Sequence, residues 1–79
     1  REGAMYVADI TIRLEECIDE DCLRKLERLL RKECRIERAW ILDRRRHLLM
    51  VAFDAEEVEP SMIIRAMRSH GWHAAAHGL

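Results

Sequence analysis

Tyr6, Ala8, Ile10, Ile12 and Leu14 alternate with Val7, Asp9, Thr11, Arg13 and Glu15, and beyond Asp19 the pattern changes to Cys22, Leu23, Leu26, Leu29, Leu30 and Glu33 at helical spacing. A period of two sends successive side chains to opposite faces of a strand, whereas a period near 3.6 lines them along one stripe of a helix. The chain is therefore constrained to open with a half-buried strand, turn within a few residues and return as an amphipathic helix. Asp19, Glu20 and Asp21 suit the start of that helix, because side-chain acceptors and negative charge favour its exposed N–H groups and positive dipole end. The spacing predicts a helix from about Asp19 to about Glu33. Arg24, Lys25, Glu27, Arg28, Arg31 and Lys32 cover its remaining surface. With no stacking aromatics interleaved, that charge run reads as a solvated face with i,i+4 pairs rather than a nucleic-acid surface.

The remainder repeats the theme. Ile36 to Leu42 reads as a second strand, with Ile36, Ala39 and Ile41 inward and Trp40 outward, and the polar run Asp43-Arg44-Arg45-Arg46-His47 suits a hairpin tip. Leu48 to Phe53 forms a third strand. Glu59-Pro60-Ser61 introduces a second helix, proline being tolerated in a first turn where its missing N–H costs nothing. Ile63, Ile64 and Met67 supply its buried stripe, Gly71 ends it, and Trp72 to Ala76 forms a short closing strand. Strand, helix, strand, strand, helix, strand is the order of two split β-α-β halves. The expected fold is an α+β, ferredoxin-like βαββαβ sandwich, a four-stranded antiparallel sheet with both helices on one face. Right-handed crossovers then bring the Cys17–Cys22 loop, the Arg44–His47 hairpin and the His70–His73 turn to one end.

A chain of 79 residues has room for one domain with a modest core, and a large enclosed cleft is not expected. We expect that domain over 5–79, and Arg1-Glu2-Gly3-Ala4 before Met5 reads as an expression remnant. A net charge of −1 provides no global field for nucleic acid or an anionic membrane. No apolar run is long enough to span a bilayer. Three cysteines cannot all pair, which favours a reducing, cytoplasmic setting in which thiols are free to bind metal.

Particular residues carry a family likeness. Phe53-Asp54, Val58-Glu59-Pro60, Ile63-Ile64, Met67 and Gly71-Trp72-His73-Ala74, preceded by Ile10, Ile12, Leu14, Leu26-Glu27 and Leu30, resemble the heavy-metal-associated domain of small metallochaperones and of the cytosolic arms of metal-transporting P-type ATPases. The likeness spans Val7 to Ala74. Its G-M-x-C-x-x-C motif is altered: the matching positions are Glu16, Cys17, Ile18, Asp19, Glu20, Asp21 and Cys22. Cys22 keeps the second metal thiol, Asp19 replaces the first, and Cys17 takes the place of a methionine that the family tucks into its core. Arg35 stands where the family has a glycine, and the hairpin is one residue longer. The resemblance implies a soluble metal-binding domain whose partners are a metal ion and a metal-transporting ATPase or a similar domain.

Two thiolates spaced C-x4-C can reach one ion if the loop wraps it, and Asp19 adds an oxygen from the same turn. Sulfur with carboxylate, completed by an imidazole, suits Zn(II) or a similar divalent transition metal better than Cu(I). The candidate ligands are Cys17, Asp19 and Cys22, with His47 and His70 as completing histidines. Other readings stand beside this one: Cys17 as a small core residue with Cys22 an inert thiol, or a Cys17–Cys22 disulfide. Cys34, after the first helix, reads as structural. His73 and His77 share a strand face at a spacing that can seat an ion. They flank an uncovered sheet face of Trp40, Leu42, Leu48, Met50 and Ala52, which implies a homo-oligomer or partner surface. The alternative function is accordingly a metal-free oligomerisation or docking module. An RNA-recognition module shares the strand order, but its stacking aromatics are absent from the central strands, so no nucleic-acid partner is expected. No paired nucleophile and base, phosphate loop or H-E-x-x-H occurs, and an enzyme is not expected.

Overall fold

A computed structural model of the chain describes residues 6–16 and 18–78. Its elements run β1 (Val7–Leu14), α1 (Glu20–Cys34), β2 (Ile36–Asp43), β3 (Leu48–Asp54), α2 (Pro60–Ser69) and β4 (Ala74–Ala76). The strands form one sheet in the order β2-β3-β1-β4, every neighbouring pair antiparallel. This is the ferredoxin-like sandwich expected from the sequence. Ile12, Leu49, Val51 and Phe53 from the sheet meet Leu26 and Leu30 of α1 and Ile63 and Met67 of α2 in one core. β4 is shorter than predicted because Trp72 and His73 are used in the turn, where the Trp72 N–H donates to the Met67 carbonyl and the His73 carbonyl accepts from Glu15. Among the described residues, no helix is long and apolar enough to cross a membrane.

Ile36 and Ala39 are of opposite parity, so a regular strand could not bury both. A register shift between Ile36 and Arg38 absorbs one residue and turns both side chains inward. A second shift, between Ile41 and Asp43, leaves Leu42 outside the ladder and 51% exposed. The outer edge of β2 is held by α1: the Ala39 N–H donates to Glu27 Oε2 at 2.9 Å, and Arg31 donates to the Glu37 carbonyl at 2.9 Å. Edge groups that would otherwise invite another strand are thus engaged.

The open face of the sheet is less apolar than expected. Trp40 and Met50 are half-buried, but Leu48 and Ala52, read from the sequence as part of an exposed patch, are 3% and 5% exposed. The register explains this: Leu48 lies between Asp43 and Arg13, and Ala52 between Arg38 and Asp9, so an arginine and an aspartate flank each of them. The Arg38 guanidinium also sits 4.5 Å from the Trp40 ring centroid, a cation–π contact on that same face.

Candidate metal-binding loop

The loop between β1 and α1 is fixed by its helix start. Asp19 is the N-cap: its backbone is extended, with φ −126°, and its Oδ1 accepts the Cys22 N–H at 2.8 Å. This supplies one of the partners that a first turn lacks. The backbone N–H of Cys22, foremost, holds the Asp19 carboxyl below its usual range. Ile18 and Leu23 flank the cap at the positions before it and four after it, and both are buried in the same cluster. That is the arrangement of a hydrophobic staple, which sets the angle at which the chain enters the helix. The loop therefore plugs the core with Ile18, only 3% exposed. The sequence reading gives Ile18 no role in the core, although an apolar residue directly before a cap, with Leu23 to match, is a readable signal.

Cys17 lies outside the described residues. Cys22 is half-buried in the first turn of α1, beside the Asp19 cap. His47 is brought to the same end. It has φ 59°, its carbonyl accepts the Leu14 N–H at 3.0 Å, and its Nδ1 donates to the Glu16 carbonyl at 3.1 Å. A neutral imidazole that donates through Nδ1 keeps its lone pair on Nε2, the form a metal ligand uses.

His70, predicted as a completing ligand, is held elsewhere. Its Nε2 lies 2.8 Å from Glu33 Oε2 in the last turn of α1. That helix has 15 residues, about 22 Å at its usual rise, and carries Cys22 at its opposite end. The ring cannot serve the loop without giving up Glu33. Among the described residues, no three His, Cys, Asp or Glu side chains come together in a group that could hold an ion. Cys34 is buried, its thiol facing the Met62 carbonyl at 3.6 Å, and burial raises its pKa, as befits a structural cysteine.

The strongest polar contact at this end was not foreseen. The Glu16 carboxylate accepts the His73 backbone N–H at 3.1 and 3.2 Å and meets His73 Nδ1 at 2.6 Å. Its hydrogen bond to Glu16 is the main cause that raises the pKa of His73, and the same bond is the first cause that lowers that of Glu16. The pair pins the β1–α1 loop to the turn before β4. His73, read as a partner for His77 around an ion, is committed instead to Glu16.

The fold is similar to that of oxidized MerP from Ralstonia metallidurans CH34, at 12% identity and a TM-score of 0.71, covering 91% of this chain and 99% of that one. It is equally similar to a copper binding domain from HMA7, a P-type ATPase, at 17% identity and a TM-score of 0.70, covering 89% of this chain and 93% of that one. These likenesses show the fold. The sequence matches no family model and no curated protein.

Proposed function

We propose that this chain is a metal-binding domain of the metallochaperone or transporter-arm kind, taking a divalent transition metal such as Zn(II) at the loop before α1. The observation that carries the reading is the placing of Cys22 and Asp19 together in the first turn of α1, at an open end of a fold shared with a copper binding domain. Asp19 spends Oδ1 on its cap, and the second carboxylate oxygen is left as a donor beside the Cys22 sulfur. Cys17 supplies the second sulfur in this reading. His47, with Nε2 as its acceptor nitrogen, is the imidazole nearest by topology. A set of sulfur, carboxylate oxygen and imidazole nitrogen matches the preferences of Zn(II). The ion is cargo, exchanged ligand by ligand at an exposed loop with a similar loop on a partner domain.

Titration with Zn(II), followed by native mass spectrometry, tests this directly. The expected result is one ion per chain, lost in Cys22→Ala while the circular dichroism of the fold is retained. Asp19→Asn keeps the cap, since asparagine caps as well as aspartate, but removes the charged donor, so it should weaken binding without loosening α1. A chain that stays metal-free under excess Zn(II), or binds equally well as Cys22→Ala, refutes the proposal.

A further inference from the structure

On the open face of the sheet, one corner gathers three arginines that the metal reading does not use. The register sets Arg13 between Leu48 of β3 and Ala75 of β4, and the His77 N–H donates to the Thr11 carbonyl at 2.8 Å, which places His77 beside it. The hairpin closes over this corner. The Arg46 N–H donates to Asp43 Oδ1 at 3.2 Å, the His47 N–H to the Arg44 carbonyl at 3.2 Å, and the Leu14 N–H to the His47 carbonyl at 3.0 Å. Between them lies an open cleft of about 500 Å³, lined by Arg13, Arg45, Arg46, His47 and His77, with Glu15 as its one carboxylate.

The guanidinium groups there are uncommitted. Arg31, Arg35 and Arg44 pair with Glu27, Glu57 and Glu20, and Arg68 donates to the Ala74 carbonyl. Among the described residues, Arg13, Arg45 and Arg46 make no ion pair. Three planar, always-charged donors facing one concavity with a single carboxylate form an environment for an oxyanion, and the guanidinium fork matches phosphate oxygens two at a time. The cleft's volume falls in the range of small-molecule sites, about 300–1,000 Å³. A nucleic-acid strand is disfavoured, because no Trp, Tyr or Phe lines the cleft to stack a base, and Trp40, on the same face, is already covered by Arg38.

We propose that the cleft between Arg13, the Arg45–Arg46 hairpin and His77 binds a small phosphate-bearing molecule. The cleft borders the metal loop at His47, and its three arginines lie outside that loop. The test is a titration of the full chain with pyrophosphate, read by NMR at backbone amides and arginine Nε–H groups, at fixed ionic strength. Saturable shifts are expected at Arg13, Arg45, Arg46 and His77. Arg13→Gln and Arg45→Gln should each raise the dissociation constant about tenfold, in keeping with the loss of a charge-assisted contact. Arg24→Gln and Arg28→Gln, on the solvated side of α1, serve as controls for net charge and should leave it unchanged. Arg45 sits in an exposed turn, so its variant tests the idea even if Arg13→Gln disturbs the sheet. Shifts that do not saturate, or an equal loss in the controls, would overturn the proposal. So would a glutamate-rich peptide that binds this corner when pyrophosphate does not.

Discussion

Arg35 ends α1 in the left-handed region, with φ 56° and ψ 46°. For a residue with a Cβ this conformation costs about 1–2 kcal/mol, which glycine avoids. The side chain recovers little, because Arg35 Nη1 and Glu57 Oε1 are 3.7 Å apart with 83% and 53% of their side chains exposed, and exposed pairs contribute about 0–1 kcal/mol. Glycine also adds freedom to the unfolded chain, offsetting about 0.4–1 kcal/mol of the relief. At the middle of these ranges Arg35→Gly should stabilise the fold by roughly 0.3 kcal/mol and should exceed Arg35→Ala, which also lacks the pair, by about 0.8 kcal/mol, a difference in melting temperature of roughly 3–6 °C for a domain this small. Arg35→Ala separates the two terms: it keeps the strain, loses the pair, and should be neutral to slightly destabilising. Gly71→Ala is the converse. At φ 92° an added Cβ would meet nothing within 4 Å, so any loss, expected at about 1 kcal/mol or more, is backbone strain alone. Urea unfolding with a common m-value, supported by calorimetry, measures all three. If Arg35→Gly proves no more stable than Arg35→Ala at unchanged m, the strain assigned to this position is wrong.

The Glu16–His73 pair should respond to pH from both sides. His73 has a raised pKa, so its contribution is full below its unfolded value and disappears as pH climbs through the folded one; that of Glu16 is full above its unfolded value and disappears as pH falls through its lowered one. The clamp is then complete in mild acid, and NMR titration of the His73 ring should show a midpoint that falls in Glu16→Gln; an unmoved midpoint would sink the pairing. Ile18→Ala should cost about 2–4 kcal/mol, as expected for a fully buried aliphatic truncated in a packed core, whereas Ile18→Leu should cost less than about 1.5 kcal/mol. Urea midpoints for the two variants check this, and a near-neutral Ile18→Ala would show that the loop does not plug the core.

The fold was legible because it follows from periodicity, which is local. The alternation through β1, the stripe of α1, and Pro60 and Gly71 bracketing α2 each state their element within a dozen residues. Gly71 could be read as a helix stop, and it does adopt the positive φ that closes the helix: its N–H donates to the Arg68 carbonyl, and the next N–H, from Trp72, returns to Met67. The bulge at β2 left a trace too, since Ile36 and Ala39 can both be inward only if one residue is absorbed between them. Exposure of the sheet face was harder to judge, because Leu48 and Ala52 are covered by cross-strand neighbours that no sequence window contains.

At the β1–α1 loop the helix start was legible in the sequence, and the connectivity around it much less so. Asp19 is the instructive residue, since the same carboxylate answers to two descriptions, metal donor by its place in a borrowed motif and helix cap by its place before α1. The sequence supports both, and the 2.8 Å bond to Cys22 N–H accounts for one of its two oxygens. An aspartate at that position is among the best helix caps, which accounts for its place before α1 whether or not the loop takes an ion. The histidines show the other limit. Each looks available in sequence, yet His70 is committed to Glu33 and His73 to Glu16, partners 37 and 57 residues away along the chain. His47 and His73 both turn a bonded nitrogen to Glu16 in the loop, one to its carbonyl and the other to its carboxylate. Of these three, His70 is engaged through Nε2 and would have to leave Glu33 to meet an ion at this loop, whereas His47 and His73 are bonded through Nδ1.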